Sequence, residues 1–134
     1  MIYICLPVHD EASTVGPLMW KLRRTLTDAE FRRDFRILVL DDASTDGTAD
    51  VLERYRSALP LTVIRSDERL GYGRAVDRLL RTAADQTPYP KRDAAVVLQA
   101  DFTDDPSAVV DLIKTIEGGA AIVSGVGGVP EEPA

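Results

Sequence analysis

The sequence predicts an α/β domain built on a doubly wound, mostly parallel β-sheet. Short apolar runs recur along the chain, and segments with a helical period lie between them. Such an alternation indicates parallel strands joined by helical crossovers. The runs are continuously apolar rather than alternating, which is typical of strands that are covered on both faces. A chain of 134 residues is long enough to bury a real core as one domain.

Five apolar runs of strand length define the predicted sheet. In chain order they are residues 2–6, 36–40, 61–64, 94–98 and 120–123. Each run is bounded by Gly, Pro, Asp or Ser, which favour turns. The turn-rich segment after the second run, Asp-Asp-Ala-Ser-Thr-Asp-Gly, separates that strand from a short helix expected over residues 48–58.

Helical crossovers fill the other gaps between the predicted strands. Ser13 is a candidate N-cap for a helix whose apolar positions fall at i, i+3, i+4, i+7 and i+11 from Val15. After Gly71, an amphipathic stripe (residues 72, 75, 76, 79, 80 and 83) predicts a third helix that ends before Pro88.

The last predicted helix leads to the fifth strand. Asp105 and Pro106 fit its N-cap and first residue, and Gly118 fits its end. We expect residues 1–125 to form the domain and residues 126–134, which are rich in Gly, Pro and Glu, to be a disordered tail.

Composition and charge exclude several classes of protein. Cys5 is the only cysteine, so no internal disulfide can form, which is consistent with a reducing compartment. No apolar run approaches the roughly 20 residues that span a bilayer. The net charge of -6 disfavours unspecific nucleic-acid binding, which depends on Lys and Arg neutralising phosphates. We therefore expect a cytoplasmic domain with no transmembrane segment and no nucleic-acid partner.

Acidic side chains follow three of the predicted strands, at the edge where open α/β sheets bind ligands. The segments concerned are Pro7-Val8-His9-Asp10-Glu11, Asp41-Asp42 and Gln99-Ala100-Asp101. Two carboxylates about 5 Å apart repel by about 3 kcal/mol at an effective dielectric of about 20, so we expect a cation to offset the repulsion. Carboxylate oxygens suit Mg²⁺ or Mn²⁺, often shared with a substrate phosphate. Any one residue of the turn 41–48 has an alternative, purely structural role as a turn or cap residue.

Three motifs in order resemble the family-2 glycosyltransferases, which have the GT-A fold. Residues 7–11 are similar to the family's Pro-x-Tyr-Asn-Glu, residues 39–48 to its Val-Asp-Asp-Gly-Ser-x-Asp-Gly-Thr, and residues 99–101 to its Asp-x-Asp. The family's Gly-rich entry to the third helix resembles Leu70-Gly71-Tyr72-Gly73-Arg74-Ala75. Together with residues 99–106, this segment most resembles the polyprenyl-phosphate branch of the family, which includes dolichyl-phosphate mannosyltransferases. The resemblance covers residues 2–125 and implies the Rossmann-like, nucleotide-binding half of that fold.

The resemblance implies a site for a UDP- or GDP-sugar and a divalent ion, Mg²⁺ or Mn²⁺. The donor-binding residues implied are Pro7, His9, Glu11, Asp41, Asp42, Arg74, Gln99, Ala100 and Asp101. Pro7, His9 and Glu11 would line the nucleobase and ribose pocket, and Asp41 or Asp42 would accept a base N–H. Asp101 would hold the metal, with weaker contributions from Gln99 and Thr103. For Arg74, the alternative is an ordinary exposed helix arginine.

The sequence departs from the family pattern at several positions. His9 and Asp10 replace Tyr and Asn, and Gln99 replaces the first Asp of the metal motif, which removes one charge and should lower metal affinity. We expect the half that carries the acceptor site and the general base of an inverting transfer to be missing, so that the chain binds the donor only. The resemblance implies a polyprenyl phosphate as acceptor, and a sheet edge left open by the missing half would favour a homo-oligomer.

Three alternatives remain open from the sequence. Residues 42–53 fit an EF-hand calcium loop, although an apolar strand rather than a helix precedes them. A receiver domain of a two-component system matches the length and the acidic pocket, but the lysine expected after its fifth strand is missing. A non-catalytic, nucleotide-binding remnant of the glycosyltransferase family is the third alternative.

Overall fold

The computed structural model describes residues 1–28, 34–87 and 93–98, together with positions 111, 114, 123 and 124. Strands and helices alternate along this part of the chain, as the apolar pattern predicts. The elements are β1 (Ile2–Val8), α1 (Val15–Leu26), β2 (Phe35–Asp42), α2 (Thr48–Arg56), β3 (Leu61–Ser66), α3 (Tyr72–Gln86), β4 (Ala94–Val97) and β5 (Val123–Ser124).

The sheet has the strand order β3-β2-β1-β4-β5, and its strand pairs are parallel. The chain moves outward from β1 to β3 and then returns to the other side of β1, so the order of the strands reverses between β1 and β4. This arrangement confirms the predicted doubly wound α/β fold. It also argues against a receiver domain, because receivers have the order 2-1-3-4-5.

Each face of the sheet has its own core. Alternate side chains of β1 point to opposite faces, as the period of a strand requires. Leu6 belongs to the cluster that contains Met19 of α1 and Leu52 of α2, whereas Cys5 belongs to the cluster that contains Leu79 of α3. All five side chains are at most 1% exposed, and burying one such apolar side chain contributes roughly 1.5–3 kcal/mol. Strand β1 is therefore the centre of the domain.

Several element boundaries differ from the sequence prediction by one or more residues, and two of these differences lie beside the acidic motifs. The N-cap position of helix α1 is Thr14 rather than Ser13. The Thr14 hydroxyl donates a hydrogen bond to the Glu11 carboxylate and does not accept one from a backbone N–H of the helix. Strand β2 continues through both aspartates, because Asp41 and Asp42 stay in register with Arg65 and Ser66 of β3. The acidic motif therefore begins inside the sheet rather than in a loop.

The C-terminal elements are described only in part. Asp111 and Lys114 are helical, in agreement with the predicted fourth helix, and β5 pairs with β4 through Val123 and Ser124. The predicted cap at Asp105 and Pro106, the predicted end at Gly118 and the predicted tail 126–134 lie outside the described residues. None of the helices described is both long and apolar enough to cross a membrane.

The turn after β2 begins with an unusual backbone conformation. Ala43 has φ 55°, in the left-handed region, and its N–H donates to the Ser66 carbonyl at 2.9 Å. This conformation costs an L-residue with a Cβ about 1–2 kcal/mol. Since β2 runs directly into Asp42, the turn also excludes an EF-hand, whose loop follows a helix.

Replacing Ala43 by Gly should stabilise the domain. Glycine adopts a positive φ without the Cβ penalty, and it loses only part of that gain through the greater freedom of the unfolded chain. We expect Ala43→Gly to raise the free energy of unfolding by about 0.5–1 kcal/mol in urea denaturation. The control is Ala84→Gly on the exposed side of α3, which should lower it by about 1 kcal/mol. A loss of stability in Ala43→Gly would contradict the assigned turn.

The Cys5 thiol should be inert in the folded protein. Cys5 is fully buried in the centre of β1, and desolvation raises the pKa of its thiol to about 12. Since the thiolate is the reactive form, we expect no labelling by a thiol-specific disulfide reagent near neutral pH, and stoichiometric labelling in concentrated guanidinium chloride. Rapid labelling of the native protein would show that β1 is not at the centre of the sheet.

Candidate functional site

The loops that follow β1, β2 and β3 meet at one edge of the sheet, which we call the carboxyl edge. Val8, Asp41 and Arg65 are neighbours across these three strands, so the loops start at the same height. The described pairing of β1 with β4 ends earlier, at Cys5. Val8 ends β1 at this edge, and the reversal of strand order between β1 and β4 makes this the place where doubly wound sheets bind ligands.

Hydrogen bonds join the loop after β1 to the loop after β2. The Thr45 N–H donates to the Asp10 carboxylate at 2.8 Å, and the Asp10 N–H donates to the Ser44 hydroxyl at 2.9 Å. The Glu11 N–H donates to the Thr48 hydroxyl at 3.1 Å. The positive φ of Asp10 (50°) directs its backbone and its side chain toward the same loop. The two loops therefore form one unit.

Asp46 connects the same two loops from the solvent side. Its carboxylate accepts the Ala12 N–H at 3.1 Å and the Thr48 N–H at 3.1 Å, and it also accepts the Thr48 hydroxyl. The Thr48 hydroxyl is the largest cause that holds the pKa of Asp46 below its ordinary value, followed by opposing desolvation and then by the backbone amides. These bonds favour the charged carboxylate at neutral pH.

Asp41 is the most deeply buried carboxylate of the edge, at 1% exposure. One of its oxygens accepts Arg65 Nη1 at 2.6 Å, and the other accepts the Ser44 N–H at 3.2 Å. The Arg65 guanidinium is itself 45% exposed, so the pair lies at the boundary of the protein and the solvent. A buried carboxylate with a hydrogen-bonded arginine avoids the desolvation penalty of an unpaired charge.

Asp42 holds the start of α3. Its two oxygens accept the N–H groups of Leu70 at 2.7 Å and Gly71 at 2.9 Å, and Arg69 Nη1 lies 3.7 Å away. Gly71 has φ 87°, a conformation that glycine adopts without strain, and this turn presents both amides to one carboxylate. Asp42 is 3% exposed, so it is the anchor between β2 and the helix that carries Arg74.

The imidazole of His9 makes a hydrogen bond to the backbone of Asp42. Its Nδ1 lies 2.6 Å from the Asp42 carbonyl oxygen, and since a carbonyl only accepts, Nδ1 is the donor. Its Nε2 lies 3.3 Å from the Asp10 carboxylate. The His9 side chain is 38% exposed, so part of it is open to solvent at the carboxyl edge.

The structure brings together most of the residues that the sequence singled out. Pro7, His9 and Glu11 are half-buried beside buried Asp41 and Asp42, and Arg74 is exposed in the first turn of α3. Gln99, Ala100, Asp101 and Thr103 lie outside the described residues. The described segment before them ends at Leu98, whose N–H donates to the Cys5 carbonyl at 3.0 Å, beside β1.

The sequence places Arg65 and Arg69 after the third predicted strand but does not identify them as the partners of Asp41 and Asp42. Arg65 and Arg69 are the cations next to Asp41 and Asp42, so protein groups offset the repulsion that suggested a metal there. In the part of the chain that the structure describes, no group of three or more His, Cys, Asp or Glu side chains could hold a metal ion. The positions of Asp41 and Arg65 were a usable signal, because each residue directly follows an apolar run in the sequence.

Comparisons with known proteins agree with the family resemblance of the sequence motifs. A family model described as glycosyl transferase family 2 matches residues 3–132. The chain is 27% identical over 124 residues to a dolichol-phosphate mannosyltransferase of Pyrococcus furiosus, covering 92% of this chain and 32% of that protein. It is 27% identical over 128 residues to an undecaprenyl-phosphate 4-deoxy-4-formamido-L-arabinose transferase of Pseudomonas fluorescens, covering 95% of this chain and 35% of that protein.

A solved structure is similar in fold as well as in sequence. A mannosyltransferase of Pyrobaculum calidifontis, in complex with GDP-Man and Mn²⁺, superposes with a TM-score of 0.60 and 25% identity over 84% of this chain and 31% of that one. The chain thus spans about a third of the length of the relatives that it matches. Because the family model covers nearly all of its residues, the chain belongs to glycosyltransferase family 2.

Proposed function

We propose that the chain is the donor-binding part of a glycosyltransferase and binds a nucleoside diphosphate sugar at the carboxyl edge. The observation that carries this proposal is the similarity in fold to a mannosyltransferase whose structure contains GDP-Man and Mn²⁺. The joined loops after β1 and β2 support it, because the loop after β1 borders the point where the strand order reverses. A guanosine diphosphate sugar is the favoured donor, and a uridine diphosphate sugar is the alternative.

In this proposal the partly exposed residues of the edge contact the nucleotide. Pro7, His9 and Glu11 line the pocket for base and ribose, and Arg74 faces the diphosphate. Asp41 and Asp42 mainly hold the loops in place, since each oxygen of both carboxylates already accepts a hydrogen bond inside the protein or lies beside an arginine. The base contact that the family resemblance implies for one of them would be an additional hydrogen bond at a nearly buried group.

We place the divalent ion at the end of β4. Asp101 would hold it, with Gln99 and Thr103 as weaker oxygen ligands, and such a set of hard donors fits Mg²⁺ or Mn²⁺. The proposal is supported by β4, which lies beside β1: directly after β4, the Leu98 N–H donates to the Cys5 carbonyl. An ion bound there would supply Lewis-acid stabilisation of the charge on the departing diphosphate.

The proposed reaction transfers the sugar to a polyprenyl phosphate with inversion. An oxygen of the acceptor phosphate forms a bond to the anomeric carbon, and the bond from that carbon to the donor diphosphate breaks, with its electron pair on the diphosphate oxygen. A phosphate monoester is largely ionised at neutral pH, since its second pKa is about 6, so this acceptor needs no general base. The proposal therefore does not depend on a catalytic carboxylate among the described residues.

Two further expectations belong to this proposal. We place the protein in the cytoplasm, where the buried Cys5 thiol would stay reduced, and we propose that an open edge of the sheet supports self-association.

A chain that only binds the donor, without transferring it, is the second candidate, and the span of about a third of its relatives favours testing binding before activity.

Titration calorimetry tests donor binding directly. We expect GDP to bind in the presence of Mn²⁺ with a dissociation constant in the millimolar range or below, and to bind more weakly when the metal is chelated. UDP serves as the comparison nucleotide, and tighter binding of UDP would reverse the choice of base. Failure of both nucleotides to bind at millimolar concentration would remove the donor site.

The metal assignment is tested by Asp101→Asn. The substitution keeps the shape of the side chain but removes the charge, so we expect GDP binding to lose its dependence on Mn²⁺. The matched control is Asp85→Asn, an exposed aspartate in the last turn of α3, which should leave the metal dependence unchanged. Wild-type metal dependence in Asp101→Asn would mean that other residues hold the ion.

A further inference from the structure

Among helices α1, α2 and α3, which the structure describes in full, α1 differs from the other two in its exposed side chains. Helix α1 turns Pro17, Trp20, Lys21 and Arg24 to solvent, and we call these four residues the α1 outer face. The opposite side of α1 is buried in the core through Val15, Leu18, Met19, Leu22 and Leu26. The outer face is therefore presented by a rigid element and is available to a partner.

The charge of α1 is opposite to that of the whole chain. The helix carries Lys21, Arg23 and Arg24 and no acidic residue, in a chain with a net charge of -6. Helices α2 and α3 each contain both acidic and basic residues. Such a concentration of positive charge on one helix of an acidic protein indicates a surface that meets a negatively charged partner.

Trp20 gives this surface an apolar centre. Its side chain is 43% exposed, and the Arg23 guanidinium lies 4.9 Å from the centre of its ring. Trp20 is the only tryptophan of the chain. A tryptophan among lysine and arginine side chains is the pattern that favours the boundary between lipid head groups and acyl chains.

We propose that the α1 outer face docks the protein on a membrane that contains anionic lipids. The cations contact the lipid head groups, and the indole of Trp20 enters the interface. This inference rests on the proposed function, because a polyprenyl phosphate acceptor is held in a membrane and the chain must reach it there. The geometry agrees: α1 begins at the carboxyl edge, and Trp20 lies only about 8 Å along the helix axis from Val15.

The single tryptophan makes the experiment direct. The whole chain is titrated with vesicles of phosphatidylcholine and phosphatidylglycerol in equal parts, and with vesicles of phosphatidylcholine alone. We expect the emission of Trp20 to shift to shorter wavelength and to be quenched by brominated acyl chains on the anionic vesicles only. Added salt should weaken the binding, because it screens the exposed charges.

Charge reversal locates the docking surface. Lys21→Glu with Arg24→Glu should weaken vesicle binding by about 20-fold or more, since each cation near an anionic membrane contributes roughly fivefold. The matched control is Arg78→Glu with Arg81→Glu on the exposed side of α3, which changes the net charge equally. In cosedimentation, Trp20→Ala should weaken binding several-fold, whereas Tyr72→Ala, which removes an equally exposed aromatic ring, should not.

Each other outcome overturns the proposal. The first such outcome is an unchanged Trp20 emission on anionic vesicles, and the second is an equal loss of vesicle binding in the α1 and α3 variants. The third is a salt-sensitive preference of the α1 outer face for duplex DNA or RNA over vesicles, and the fourth is self-association that depends on Trp20. Calorimetry with GDP and Mn²⁺ on the α1 variants separates this result from the proposed function. Donor binding that persists without vesicle binding would reject the docking surface and leave the donor site intact.

Discussion

The carboxylate of Asp42 is the constraint on which the carboxyl edge depends. It accepts the amides at the start of α3, while the carbonyl of the same residue accepts the imidazole of His9. One buried residue at the end of β2 thus fixes both His9 in the loop after β1 and the start of α3. Because Asp42 is 3% exposed, truncating its side chain would leave the part-buried amides of Leu70 and Gly71 without this acceptor, and replacing one of its oxygens by an amide nitrogen would leave one of them without it.

The fold was largely predictable because its signals are local and repeated. A continuous apolar run such as Ile37 to Leu40 indicates a buried strand whatever surrounds it, and the stripe of α3 repeats over four turns. The strand ends were less predictable. Asp41 and Asp42 have a low preference for strands, yet they remain in β2 because Arg65 and Ser66 pair with them across the sheet. Such long-range pairing does not appear in the composition of a segment.

The sequence predicted the location of the candidate site better than it predicted the interactions between its residues. The spacing of acidic residues after the strands located the carboxyl edge, and the structure brings His9, Glu11, Asp41 and Asp42 together there. The sequence suggested that a metal offsets the repulsion of these carboxylates, whereas arginine side chains and backbone amides do so at Asp41 and Asp42. The amides of Leu70 and Gly71 could not be predicted, since every residue except proline has one and only the fold decides which of them point at a carboxylate.

The bonds between the loops after β1 and β2 determine how a ligand would meet this surface. Ser44, Thr45, Asp46 and Thr48 fix the backbone of residues 10–12 in the free protein, so these loops have little conformational entropy left to lose when a ligand arrives. A preorganised site converts more of its contact energy into affinity than a loop that must first become ordered. The same rigidity makes selectivity a matter of shape, because a nucleotide that does not fit cannot reshape loops that are already held by each other.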